Sequence, residues 1–188
     1  MNLKRKLVAY VKFCLILVFL ALFTNQFIGY FCDVKGNSMF PTLSNGDGLI
    51  ISKTSYYFHE PERFDIITFR YRDSLLIKRI IGLPGDQIFF KNDRLYVNGK
   101  WVKEWFLTDS VTQEEGNFTE DFMLKEKTFF QTVPPNSYFV LGDNRPNSVD
   151  SRAFGFISKN SIQGKAVIRW SPFEDFTWSM DQTVRAEE

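Results

Sequence analysis

"LLIKRIIG", residues 75–82, decides the fold. The run is short, rich in Leu and Ile, and ends at Gly82 before the turn-forming "LPGD", which is the signature of a β-strand. At a period of two, Leu76, Lys78 and Ile80 share one face, and Ile77, Arg79 and Ile81 share the other. One of the two cations therefore points into an apolar environment, which is unusual for a strand.

Outward from this run the texture stays β. "GLIIS" (48–52), "DIITFRY" (65–71), "DQIFF" (86–90), "RLYVNG" (94–99), "SYFVLGD" (137–143) and "GKAVIRW" (164–170) are short, β-branched or aromatic, and bounded by Gly, Pro, Asn and Asp. Asn98-Gly99, between "RLYV" and "KWV", is a strong hairpin signal. No heptads, repeats or long amphipathic helix interrupt the pattern, and "SKNSIQGK" has room for one short helical turn. The fold class is mainly β. Residues 103–135 are more acidic and less periodic, and read as a variable insertion or a second small β-region, not a separate domain. The final "DQTVRAEE" reads as a solvated tail.

The N-terminus differs in kind. "LVAYVKFCLILVFLALFTNQFIGYF", residues 7–31, is long enough for a helix crossing about 30 Å of hydrocarbon. Residues 1–6 carry Lys4, Arg5 and Lys6, which place this end in the cytoplasm and residues 32–188 outside. A cleavable signal peptide is the alternative, but "TNQFIGYFCDV" offers no small-x-small cleavage site. The chain thus divides into a cytoplasmic end, a single membrane anchor and one extracytoplasmic domain.

Composition narrows the class. With 188 residues, 44% hydrophobic and 24% charged, the chain is an ordinary globular size and composition. Of 23 basic residues four precede Tyr30, leaving 19 against 22 acidic ones, a net of −3 with no basic stripe for nucleic acid. Cys14 and Cys32 would lie about 27 Å apart along a continuous helix, too far for a disulfide. One His and one Cys outside the apolar run leave too few ligands for zinc. No cofactor is implied.

Three segments hold candidate chemistry: "GNSMFPTL" (36–43), "IKRIIGLPGD" (77–86) and "LGDNRPNSVDSRAFG" (141–155). Each has an ordinary reading as a turn or loop. Lys78 alone could be an edge-strand cation that discourages aggregation. A buried Lys has its pKa depressed because desolvation penalises the ammonium, whereas Arg79 stays protonated. A neutral Lys78 could serve as a general base, and Ser38 is the hydroxyl it could activate. The single His, His59, lies in "YYFHEPE", apart from the three segments, which disfavours a Ser-His-Asp triad. Asp47, Asp86, Asp143 and Asp150 follow Gly or sit in turns and suit hydrogen-bonding roles better than a carboxylate pair.

Together the segments, with the N-terminal apolar run and "RFDIITFR" (63–70), resemble the bacterial type I signal peptidases, and the likeness covers most of the chain. That resemblance implies two coiled antiparallel sheets and a membrane-anchored serine endopeptidase that removes signal peptides from exported preproteins after Ala-x-Ala-like sites. It implies Ser38 as nucleophile, Lys78 as base, Ser148 as a second hydroxyl holding the base, Asp150 and Arg152 as an ion pair behind them, and Met39 near the substrate pockets. The Ser38 N–H would be the main oxyanion donor. Two departures stand out: Gly36, where some relatives carry a Ser donor, and Phe64, where "RGDIV" is usual. The implied partners are secretory preproteins and membrane lipid, with nothing requiring more than a monomer; Phe89, Phe90, Phe129 and Phe130 are candidates for lipid contact. A catalytically inactive relative that binds preproteins would typically have lost Ser38 or Lys78. A self-cleaving repressor would carry a DNA-binding helical domain and no anchor.

Overall fold

A computed structural model describes residues 3–23, 29–107 and 118–171. The strands are β1 (Gly29–Asp33), β2 (Gly48–Ser52), β3 (Ile66–Tyr71), β4 (Ser74–Gly82), β5 (Ile88–Lys91), β6 (Arg94–Val97), β7 (Lys100–Val102), β8 (Phe122–Met123), β9 (Ser137–Leu141), β10 (Ile157–Ser158) and β11 (Ile162–Trp170). All seven stretches read as strands from the sequence are strand in their central residues. They form a seven-stranded sheet in the order β1-β2-β11-β3-β4-β9-β10 and a four-stranded sheet in the order β7-β6-β5-β8. Every pairing is antiparallel.

Turn chemistry explains the small sheet. Asn92 and Asp93 between β5 and β6, and Asn98 and Gly99 between β6 and β7, all take positive φ. Two such residues in a two-residue loop match the right-handed twist of the strands they join. Behind this sheet, Phe90, Phe106, Phe122, Leu124, Val133 and Phe139 share one buried cluster. The stretch 103–135 therefore contributes core: its described parts hold β8, the helix Leu124–Thr128 and four of those apolar residues, Phe106, Phe122, Leu124 and Val133. The rest of it, 108–117, and the tail "DQTVRAEE" lie outside the described residues.

At the N-terminus the helix Leu3–Phe23 is followed, after residues 24–28, by β1. The boundary drawn at residue 31 thus falls inside a strand. Tyr30 and Phe31 read in sequence as interfacial aromatics, but their backbones pair with Ile51 and Ile50, and the Tyr30 hydroxyl lies 2.9 Å from Thr68 Oγ1. Among the described residues no helix is long and apolar enough to cross a membrane.

One register detail positions the site. β4 pairs with β3 from Ser74 to Arg79, but β9 joins its other side only from Arg79 onward. Among the described residues, that second edge of residues 74–78 has no strand partner. Lys78 is the last residue before the sheet closes.

Candidate active site

Ser38 rides on a loop fastened at its base. Val34 N donates to Asp47 O (2.8 Å), Gly46 N to Val34 O (3.0 Å), and Gly36 N to the Asn45 side chain (2.9 Å). Gly36 and Gly46 have φ of 84° and 94°, a region where a Cβ is strained. Beneath the loop, Met39 and Leu43 are buried with Val34, Leu49, Ile51 and Ile66. Asp47 fixes the return, accepting from Ser44 N and from Arg169 Nε at 2.7 Å each. Burying Met39 and Leu43 while tying both ends leaves Ser38 half-exposed on the upper side.

Lys78 meets it there. Its Nζ lies 2.7 Å from Ser38 Oγ and donates to the Ile77 carbonyl at 3.0 Å. Lys78 is only 4% exposed, and burial pushes its pKa down; Asp150 and Asp143 pull in the opposite direction. Both carboxylates are already engaged. Asp143 takes Arg79 Nε at 2.9 Å and Nη2 at 2.6 Å. Asp150 takes Arg152 Nε and Nη2 at 2.9 Å each, and the Gly142 N–H at 3.1 Å. Such partners satisfy the carboxylates locally and weaken their hold on a neighbouring ammonium.

The segment 142–152 wraps Ser38 from above. Asn144 N donates to Ser38 O (3.1 Å), and Asn144 Nδ2 to Asn37 O (3.0 Å). A Cβ on Gly142 would overlap both Ser38 O and Ser148 Oγ, so glycine is what permits this approach. Ser148 Oγ is buried and makes no hydrogen bond, the one such side-chain atom among the described residues. The second hydroxyl expected on the Lys78 amine is therefore not bonded to it; the amine donates to the Ile77 carbonyl.

Sequence reasoning missed three connections. Arg79 is 2% exposed, so both adjacent cations are buried, not one. The side of β4 carrying Arg79 is covered by Phe106, whose ring centroid lies 3.7 Å from the guanidinium carbon. Arg145 is fully buried too: it bonds Gly142 O (3.0 Å), Thr119 Oγ1 (3.0 Å) and the Glu104 carboxylate. Asn144 is the third. The signal for the last two was the charged, amide-rich "GDNRPN", which also reads as an ordinary loop.

A cleft of about 470 Å³ opens beside the pair. One wall is Cys32–Lys35, the other Ser74–Ile77, and Ser38, Met39 and Lys78 close its end. Met39, 2% exposed, belongs to its floor. His59 lies in a separate cavity with Tyr56, Glu62, Asp65 and Lys165. The cleft can accept an extended chain, and its end offers a hydroxyl beside an amine whose neutral form burial favours.

Comparison with known proteins identifies the family. The family model described as signal peptidase, peptidase S26, matches residues 7–173. Signal peptidase I of Bacillus caldolyticus is 49% identical over 147 residues, covering 77% of this chain and 81% of the relative. Signal peptidase I S of Bacillus subtilis is 39% identical over 177 residues, covering 92% and 93%. The crystal structure of a signal peptidase I from Enterococcus faecalis superposes with a TM-score of 0.54 at 43% identity, over 57% of this chain and 97% of that one. The chain belongs to the signal peptidase family, peptidase S26, and is a hydrolase of the signal peptidase I type.

Proposed function

We propose that the chain cleaves signal peptides from exported preproteins with Ser38 as nucleophile and Lys78 as general base. The observation that carries this reading is the 2.7 Å approach of a buried lysine amine to a half-exposed serine hydroxyl at the end of a cleft. The substrate backbone adds along the unpaired edge of residues 74–78, where strand donors and acceptors are free to pair. Neutral Lys78 takes the Ser38 proton as Oγ attacks the carbonyl carbon before the cut. The Ser38 N–H stabilises the resulting oxyanion. Lys78, now an ammonium, gives its proton to the departing amine, and then deprotonates the water that releases the acyl group. Asp143, Arg79, Asp150 and Arg152 hold the surrounding loops, and Ser148 steadies the amine when the substrate is bound.

The apolar N-terminal run, preceded by Lys4, Arg5 and Lys6, holds the enzyme at the membrane with that end inside and the β-domain outside. Enzyme and signal peptide then share one membrane and meet at raised effective concentration. The pair and the cleft come from one chain, so a monomer suffices. The test is cleavage of a preprotein bearing an Ala-x-Ala site by the full chain and by Ser38→Ala, with N-terminal sequencing of the product. The native chain cuts after the second Ala; cleavage retained by Ser38→Ala overturns the reading.

A further inference from the structure

The cleft has an uneven charge. Its β4 wall, Ser74 to Ile77, is uncharged, while the facing wall carries Asp33 and Lys35. Val34 between them is buried, and its two neighbours are exposed. Alternation along an extended chain therefore turns both charged side chains outward, about 7 Å apart along the backbone. Neither forms an ion pair with a described residue. Apart from Lys78, they are the only charged side chains lining the cleft among the described residues.

We propose that Lys35 and Asp33 read the charge of the substrate's second and fourth residues before the cut, Lys35 favouring an acid at the second and Asp33 a base at the fourth. The inference rests on the proposed function. A signal peptide approaches from the membrane, the side from which β1 follows the N-terminal helix, so residues before the cut lie alongside 33–37. The residue nearest the cut is at Ser38, and because Gly36 (φ 84°) bends the chain before it, the extended wall ends at Lys35, which meets the second residue. In an extended substrate the first and third side chains point into the cleft, where small residues fit, and the second and fourth point to its rim. Their spacing of two residues equals that of Lys35 and Asp33, so each rim position meets one charge.

The test is a competition between two preproteins that differ only at those positions, cut by the full chain in one tube. One carries Glu second and Lys fourth before the cut, the other Lys second and Glu fourth. Because the readout is a ratio within one reaction, the amount of folded enzyme cancels. The first substrate should win by about threefold to tenfold in kcat/KM at low salt, and the ratio should fall toward one at high salt. The double variant Lys35→Glu with Asp33→Lys should reverse the preference, and Lys35→Gln should weaken it. A native ratio of one, or a preference unchanged in the double variant, overturns the inference while leaving the catalytic reading intact. Failure of the native chain to cut either substrate overturns both.

Discussion

Arg79 and Asp143 form a two-point ion pair, Nε to Oδ1 at 2.9 Å and Nη2 to Oδ2 at 2.6 Å, one residue along the strand from Lys78. Arg79 also reaches the Phe64 carbonyl (2.9 Å) and the Thr42 hydroxyl (3.3 Å), so one guanidinium joins the approach to β3, the loop carrying Ser38 and the segment 142–152.

Removing that guanidinium strands a buried carboxylate. Arg79→Met should lower stability by about 3–5 kcal/mol, and Arg79→Lys should recover little because an ammonium cannot make the parallel two-point contact. Thermal unfolding of the full chain in detergent, followed by tryptophan fluorescence, measures both. Native-like stability in Arg79→Met would remove the pair from the framework of the site.

The pH dependence of cleavage has a definite sign. Burial lowers the Lys78 pKa from the ordinary lysine value, with Asp150 and Asp143 opposing. Above the lowered value the amine is neutral and can accept the Ser38 proton; below it the ammonium cannot. The rate should rise through a single ionisation from the acid side, at a pH below that of free lysine. Lys78→Met should cut about a hundred- to ten-thousandfold more slowly. A flat profile across mildly acid pH would exclude Lys78 as the base.

Stability should run the opposite way in that variant. Because the folded pKa of Lys78 is lowered, the cost of burying its ammonium is fully present below the folded value and fades as pH rises toward the unfolded one. Lys78→Met escapes this cost, so it should be more stable than the native chain at acid pH, with the gain shrinking as the solution becomes alkaline. Unfolding midpoints measured across that range give the slope directly.

Ser148 separates folding from catalysis. Its buried hydroxyl has no hydrogen bond to lose. Ser148→Ala should therefore leave the melting temperature unchanged or slightly raised. If the hydroxyl steadies the Lys78 amine during the reaction, kcat should fall while KM stays close to native. An unchanged kcat would make Ser148 a bystander.

Phe64 adopts φ of 74°, and its ring packs edge-on against Phe106 and Trp105. Substituting Ala removes the ring but keeps the strained backbone, whereas Gly removes both. Phe64→Gly should consequently be more stable than Phe64→Ala by about 1 kcal/mol, reversing the usual order of the two residues. Chemical denaturation of the two variants side by side decides it.

Much of the fold was legible because each longer strand declares itself locally, by alternation between turn residues. β8 and β10 have two residues each and show no period. β1 was hidden because Tyr30 and Phe31 look alike at a membrane interface and in a strand; only pairing with Ile51 and Ile50 tells them apart. In the site, Ser38 and Lys78 were legible as unusual residues in unusual places. Arg79–Asp143 and Arg145–Glu104 were not, since the partners are 64 and 41 residues apart and each is commonplace alone. The expectation that one of Lys78 and Arg79 would be buried followed from a sheet with one covered face, and the small sheet covers the other.

Arg145 grips Glu104 and Thr119 with the same side chain. Both ends of the intervening stretch are thus moored to a rigid post, and that post belongs to the segment 142–152 that covers Ser38. Lengthening a chain between fixed moorings costs only about 0.6 kcal/mol for each doubling. Insertions placed after Leu107 and before Phe118, clear of the Trp105 and Phe106 rings that pack on Arg79, can therefore accumulate at little cost to Ser38 or Lys78, which makes this stretch a natural place for evolution, or for an engineer, to graft a tag or a recognition element.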